Sequence, residues 1–518
     1  MYRRVALPFA VLVSVLIGFG LARDGPPAVP DVPAVPALST SSTVSTVPAA
    51  STSATVSAVP ATSPSSTVRP NIVFVLADDL DSGLVQYMPK LTELVQASGV
   101  TFTNYYVTSA LCCPSRVSML RGQYPHNTTV LTNEDGFSKF HRLGLESSTI
   151  ATWLQSVGYR TALMGKYLNG YLEAPGVGFF EYVPPGWSEW HVAGSGFGEV
   201  DYTMNHNGAL TKYGHSPQDV LTDVLRARAD AFITKSTDAR QPFFLELSTF
   251  APHFPYTVLD RYANTFPGLS APRPPSFNTR GQGEPKWLAV QPSLTTADIA
   301  TIDAKFRRRV QAVQGIDELI GHVFESLQRT GALDNTYFVF SSDNGYHMGQ
   351  HRLQPGKQTP YDSDIRVPLI MRGPGIARGS VDAMTMNIDL APTFAALAGV
   401  PTPNFVDGRS LVPLLRGTTP SDWRDVVLVE HEGPTAVPGD PDYQPDDNPT
   451  SYAAIRSANR LFVKYQSGEY ELYDYVTDPY ELVNRAATTS ATELSHYQRI
   501  LDGLRVCAAE TCRAPARM

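Results

Sequence analysis

The run Ile72-Val73-Phe74-Val75-Leu76-Ala77 is continuously apolar and stops abruptly at Asp78-Asp79. A strand with one wet face alternates polar and apolar residues, so an unbroken run of this kind predicts a strand covered on both faces. The pattern recurs where Pro242 to Phe250 leads to Pro252-His253, and where Thr336 to Ser342 leads to Asp343-Asn344. Three such strands, each ending in titratable or metal-capable residues, predict an α/β sheet whose carboxyl ends gather one site. Between them Ile299, Ile302, Phe306, Val310, Val313, Ile316, Ile320, Val323 and Leu327 recur at steps of three and four, the stripe of a helix lying on that sheet. A second helix is predicted from Asp389 to Ala398, ended by Gly399 and Pro401.

At 518 residues the chain exceeds what one core usually organises, so a large and a small domain are expected. The folded part is predicted to begin near residue 70, with a catalytic domain over 70–414 and a smaller α+β domain over 415–518. In the smaller one, Tyr452 to Val463 and Tyr470 to Tyr475 flank Ser467-Gly468 as a hairpin. The 42 prolines and 38 glycines imply long loops with fixed turns, which suits an enzyme better than a helical bundle. A net charge of −8 argues against a nucleic-acid partner, so an anionic substrate would need a local pocket.

Residues 1–22 open with Arg3-Arg4 and run apolar from Val5 to Ala22, which reads as an export signal with an uncleaved membrane anchor as the alternative. Residues 26–69 are almost all Ala, Pro, Ser, Thr and Val and are expected to form a disordered linker. The chain is thus expected outside the cytosol, secreted or tethered at the cell surface by its N-terminal segment. Cys507 and Cys512 can close a short loop as a disulfide there, or remain thiols.

Asp78, Asp79, Asp343 and Asn344 offer only oxygen ligands, the donor set of a hard cation such as Ca²⁺ or Mg²⁺. A helix N-cap for the first pair and an Asx turn for the second are the plainer readings of each pair alone.

Cys112-Cys113-Pro114-Ser115-Arg116, with Leu120 and Gly122, resembles the maturation motif of the type I sulfatases, C-x-P-S-R-x-x-x-L-T-G. The resemblance extends to Arg69 through Asp79, to Ser341 through His347, and to Glu471-Leu472-Tyr473-Asp474 near Asp478-Pro479, so it covers about residues 69 to 515. Gly165-Lys166-Tyr167-Leu168-Asn169 and Pro184-Pro185-Gly186-Trp187 are most similar to N-acetylglucosamine-6-sulfatases and extracellular heparan sulfate 6-O-endosulfatases. This implies an alkaline-phosphatase-like fold and a sulfuric ester hydrolase acting on a sulfated carbohydrate. Cys112 would be converted by a formylglycine-generating enzyme to formylglycine, and its hydrate would attack sulfur. The resemblance further implies that Asp78, Asp79, Asp343 and Asn344, completed by residue 112, hold calcium. Arg116 would orient the hydrate, Lys166 and His253 would contact sulfate, and Lys357 would lie near the leaving oxygen.

His126, His347 and His351 are weaker candidates for substrate contact, and the Trp- and Gly-rich segment from Phe179 to His215 is expected to shape a sugar pocket. Two positions depart from the family wording. Arg121 replaces the usual threonine, which bears on recognition by the maturation enzyme, and Leu168 stands where many arylsulfatases carry a histidine. Asn127-Thr128-Thr129 spells a glycosylation sequon but is read as chance so near the nucleophile turn. Two rivals remain: a phosphonate monoester hydrolase or phosphodiesterase of the same superfamily, and a glycan-binding protein whose Cys112 stays a thiol. The first would be expected to recruit a second metal or further cations, and ligands for one ion are evident.

Overall fold

The expected strand Ile72–Ala77 forms as Asn71–Ala77 and lies in the middle of a ten-stranded sheet, between Thr336–Ser342 on one side and Phe243–Ser248 on the other. The computed structural model describes residues 69–134, 136–171, 181–433, 442–444 and 447–518; the leader and all of the linker except Arg69 lie outside these. Strand order across the sheet is Gly379–Val381, Val100–Phe102, Leu369–Arg372, Thr336–Ser342, Asn71–Ala77, Phe243–Ser248, Arg160–Gly165, Glu189–Ala193, Thr203–His206 and Ala209–Lys212. The five strands from Thr336–Ser342 to Glu189–Ala193 are all parallel, and antiparallel neighbours flank them. The fold is therefore α/β, a mixed and mostly parallel sheet between helices.

Alternate residues of the central strand enter opposite cores, which explains the unbroken apolar run. Ile72, Phe74 and Leu76 pack with the helices Cys112–Arg121, Ile150–Ser156 and Leu390–Leu397. Val73, Val75 and Ala77 pack under the helices Leu221–Asp238 and Thr296–Arg329. The long helix starts in a reciprocal cap, Asp298 N–H to Thr295 Oγ1 at 3.2 Å and Thr295 N–H to Asp298 Oδ2 at 2.8 Å. Its predicted stripe from Ile302 to Leu327 is buried on the sheet.

The C-terminal part is an antiparallel sheet of four strands, Val426–His431, Tyr452–Ser457, Arg460–Tyr465 and Tyr470–Asp474, and its apolar face joins the first core. The expected hairpin at Ser467-Gly468 is present, but the segment 452–463 breaks into two strands at Ala458-Asn459. Cys507 and Cys512 form a disulfide. Among the described residues no helix is long and apolar enough to cross a membrane.

Candidate active site

In-register pairing brings the strand ends together. Ala77 lies beside Ser342, and Leu76 lies beside both Ser341 and Ser248, so Asp78-Asp79, Asp343-Asn344 and Thr249 leave the sheet side by side. The backbone holds that alignment beyond the last ladder pairs: Asp343 N–H donates to Ala77 C=O at 3.1 Å, and Lys166 N–H to Ser248 C=O at 2.7 Å. Gly165 before Lys166 has φ +107°, and a Cβ there would lie 1.9 Å from the Ser248 carbonyl oxygen, so only glycine permits this approach. Asp79 itself takes a left-handed φ of 61°, fixed by its N–H on Asp343 Oδ1 at 3.1 Å and by Arg309 Nη2 donating to its carbonyl at 2.7 Å.

The helix Cys112–Arg121 enters this cluster by its N-terminus, the end where backbone dipoles favour negative charge. Pro114 is tolerated in its first turn because the missing N–H would be unpaired there. Asn133 Oδ1 accepts from Cys113 N–H at 2.9 Å and pins the start of the helix.

Around the Cys112 sulfur the charges interlock. Lys357 Nζ is 2.8 Å from Cys112 Sγ and 2.6 Å from Asp79 Oδ1; Lys166 Nζ is 2.6 Å from Asp78 Oδ2. Arg116 Nε donates to Asp343 Oδ2 at 2.8 Å, and its Nη2, without a hydrogen-bond partner among the described residues, lies 3.8 Å from Asp78 Oδ1. His253 Nδ1 donates to the Phe254 carbonyl at 2.7 Å, which turns Nε2 toward Asp79 Oδ2 at 3.5 Å. All of these side chains are buried. Burial pushes the Asp79 and Asp343 carboxyls up, but Lys357 and His253 on the first, and Arg116 and Lys166 on the second, outweigh it and hold both below the usual carboxylate range. Burial pushes the Lys357 ammonium down, and Asp442 with Asp79 more than reverses this. Burial also raises the Cys112 thiol well above its ordinary value, more than Lys166 and Lys357 lower it.

The cluster offers a group of ligand atoms that could hold a metal ion. One ligand atom from each of Asp78, Asp79, Cys112 and His253 lies within 4.8 Å of the others. Asn344 spends its amide nitrogen on Asp79 Oδ1 at 2.7 Å and on the Gly345 carbonyl at 2.9 Å, leaving a buried Oδ1 with no partner among the described residues. A buried acceptor with nothing to accept is costly unless a cation or water faces it.

A family model described as "Sulfatase" matches residues 70–400, and one described as "N-sulphoglucosamine sulphohydrolase, C-terminal" matches residues 349–504. The chain belongs to the sulfatase family. It is 37% identical over 479 residues to a human N-acetylglucosamine-6-sulfatase, covering 86% of each chain. An extracellular sulfatase homologue of Drosophila melanogaster is 36% identical over 376 residues, which cover 70% of this chain and 33% of that protein. Among solved structures, one in complex with its substrate D-glucosamine-2-N,6-O-disulfate superposes with a TM-score of 0.71 at 23% identity, covering 86% of this chain and 98% of that one. A phosphonate monoester hydrolase from Silicibacter pomeroyi gives 0.64 at 24%, covering 83% and 94%. The two structural likenesses describe a shared fold; the sequence matches make this chain a sulfuric ester hydrolase.

Within this sulfatase, the candidates Asp78, Asp79, Cys112, Arg116, Lys166, His253, Asp343, Asn344 and Lys357 lie in one buried cluster. His347 adjoins it through the backbone pairing of residue 347 with Gly356; Asp364 Oδ2 holds its Nδ1 at 2.9 Å, and Nε2 is buried without a partner. His126 is directed elsewhere. Its Nδ1 faces Glu430 Oε2 at 2.7 Å and its Nε2 the Cys507 carbonyl at 2.9 Å, because the chain leaves the nucleophile helix through the left-handed Gly122. His351 stacks on Tyr361 with ring centroids 4.4 Å apart. Asn127 spends its amide on Asp407 Oδ2 at 2.9 Å and on the Cys507 carbonyl at 3.0 Å, which agrees with a chance sequon.

In the Trp-rich segment Trp187 and Trp190 are core residues rather than pocket walls, whereas Phe197 reaches the cluster, 4.6 Å from the His253 ring and 5.3 Å from Lys166 Nζ. Residues 179 and 180 of that segment lie outside the described residues. Sequence reasoning missed Asn133, Arg309 and Asp442, which reach the cluster from a loop, from the middle of a helix and from a Pro- and Asp-rich connection. Only Arg309 left a signal, a charge inside an apolar stripe.

Proposed function

We propose that this sulfatase removes sulfate from a sulfated carbohydrate of the glucosamine-6-sulfate class, using formylglycine at position 112 and one bound calcium. The observation that carries the reading is the convergence on Cys112 Sγ of Lys357 Nζ at 2.8 Å and Asp78 Oδ1 at 3.6 Å, with Arg116 and Lys166 paired with the same Asp78 carboxylate. The name of the human relative and its match along most of both chains support the substrate class. When present, formylglycine hydrate supplies a hydroxyl to attack sulfur and a second to release sulfate, and calcium supplies neutralisation of charge on the sulfuryl oxygens.

The chain's own residues do the remaining work. Asp78, Asp79, Asp343 and Asn344 would hold the cation. Arg116, fixed by Asp343, keeps Nη2 available to a polar group at position 112 and orients it. Lys166, Lys357 and His253 are fixed donors for sulfuryl and leaving oxygens, and fixed donors in a dry site cost no reorganisation as charge develops. Magnesium can be held by the same oxygen donors, though it demands stricter geometry. We place the protein outside the cytosol; the Cys507–Cys512 disulfide and the extracellular relative support this.

Two measurements test the reading. Peptide mass analysis of Leu91–Arg116 from protein matured in its native host should show the thiol replaced by aldehyde or its hydrate. Rates on 4-nitrophenyl sulfate should exceed those on phenyl phosphonate and phosphodiester analogues, and N-acetylglucosamine 6-sulfate should be cleaved. An unmodified Cys112, or faster chemistry at phosphorus, would overturn it.

A further inference from the structure

Asp442 stands at the edge of the cluster, on the connection between the strands Val426–His431 and Tyr452–Ser457, and no role follows for it from the reading above. Its Oδ1 is 3.2 Å from Lys357 Nζ and 4.0 Å from His253 Nε2, the two side chains assigned to the sulfate and leaving oxygens. Several interactions with described residues fix it. Asn133 Nδ2 donates to its Oδ2 at 3.0 Å, Gln358 Nε2 and Asn448 Nδ2 donate to its backbone carbonyl at 3.0 and 2.9 Å, and Lys357 takes Oδ1. Asn133 also accepts from Cys113 N–H, so one side chain ties this carboxylate to the nucleophile turn. Asp442 is 8% exposed and lines a cavity of about 10 Å³ with Asp79, His253, Phe254 and Lys357; Phe254 beside it is 47% exposed, so this wall faces solvent. The cavity has room for about one water, and a substrate group that reaches Lys357 and His253 would come within range of the Asp442 carboxylate beside them.

A fixed carboxylate beside two sulfate-binding side chains is an acceptor only. It gains from a hydroxyl or amide N–H next to the ester, and it repels a second anionic group brought to the same place. Building on the proposed function, we propose that Asp442 is a specificity-determining residue: it selects a carbohydrate whose groups flanking the reacting sulfate are neutral hydrogen-bond donors and rejects doubly sulfated ones. Lys357 and His253 remain the sulfate donors, and Asp442 sets which sulfate may reach them.

The test compares Asp442→Asn with the native protein on three kinds of substrate. These are N-acetylglucosamine 6-sulfate, glucosamine 6-sulfates carrying a further sulfate at N2, O3 or O4, and 4-nitrophenyl sulfate. The aryl ester carries neither a flanking donor nor a second anion, so its change in kcat/KM measures the common effect on all substrates. Relative to it, the variant should prefer at least one doubly sulfated sugar over the singly sulfated one by about 10-fold more than the native protein does, about 1.4 kcal/mol. Asp442→Glu, which keeps the charge, should retain most of the native preference and serves if the first variant folds poorly. An unchanged preference in either folded variant lacking the charge, Asp442→Asn or Asp442→Ala, overturns the inference while leaving the proposed function standing. A native protein inactive on every sulfate overturns both.

Discussion

Replacing Arg121 by the threonine usual in the family should destabilise the fold while leaving the reaction centre intact. Arg121 closes the nucleophile helix and is 7% exposed. Its Nε donates to Gln123 Oε1 at 2.8 Å, and Nη1 donates to the carbonyls of Leu145 at 2.7 Å and Ser148 at 2.8 Å. The guanidinium also lies 4.4 Å from the centroid of the Phe405 ring. Burial lowers its pKa to about 10, against a smaller opposing effect of Asp407, so it stays charged at neutral pH. Each charged hydrogen bond is worth about 1.5–3 kcal/mol and the cation–π contact about 0.5–2, but half-exposed carbonyls recover water and the arginine regains its own hydration. A net loss of roughly 2–4 kcal/mol follows, within the range of other broken buried networks. Denaturant unfolding of Arg121→Thr and Arg121→Lys measures it, with lysine recovering part of the loss because it cannot form the same fork. Mass analysis of Leu91–Arg116 separates loss of fold from loss of maturation, and activity per folded, matured molecule should be unchanged. A midpoint shift equivalent to less than about 0.5 kcal/mol, the size of an ordinary surface change, would refute the clamp.

Two further expectations follow from buried groups. Glu471 accepts from the hydroxyls of Tyr361 at 2.9 Å, Tyr465 at 3.0 Å and Tyr473 at 3.0 Å, yet burial outweighs these bonds and pushes its carboxyl up to about 7 from 4.5. A raised folded pKa means the native state binds the proton more tightly, so this contribution is complete below about pH 4.5 and is lost as pH rises through 7. The difference is roughly 2–3 kcal/mol. Denaturant midpoints at pH 5 and pH 8 should therefore differ less in Glu471→Gln than in the native protein, and equal differences would contradict the burial argument. Asn344→Ala removes the orphaned oxygen, and calorimetric titration of chelator-treated protein should show calcium binding weakened by at least about 10-fold; unchanged affinity would remove Asn344 from the ligand set.

Those parts of the molecule governed by short-range pattern were legible in the sequence. Both faces of Asn71–Ala77 are covered, so its run is unbroken, and the stripe of Thr296–Arg329 follows helical spacing because one face meets the sheet. The turn at Ala458-Asn459 was missed because neither glycine nor proline marks it, although Ser457 and Asn459 are turn formers in a polar break between Ile455 and Leu461. Asp78, Asp79, His253, Asp343 and Asn344 stood out because they follow strand ends, while Lys166 and Lys357 entered through the family wording alone. Asn133 and Asp442 follow no local rule, and Arg309 shows only as a charge inside an apolar stripe. Each is defined by a partner 20 or more positions away: Cys113 for Asn133, Asp79 for Arg309 and Lys357 for Asp442.

Charge balance shows why Asp442 belongs to the site although its sequence context is uninformative. Asp78, Asp79, Asp343 and Asp442 face Arg116, Lys166, Lys357 and His253. Unpaired charge in a buried site is expensive, so removing one of these carboxylates shifts by one the negative charge that the bound groups must bring. Asp442 is the one of the four outside the proposed cation ligands, and it lies on the two side chains assigned to the sulfate and leaving oxygens. Asp442→Asn therefore leaves the filled site one unit more positive and suits it to a second negative charge, as the altered preference of that variant requires. In the native protein the same carboxylate opposes that second charge.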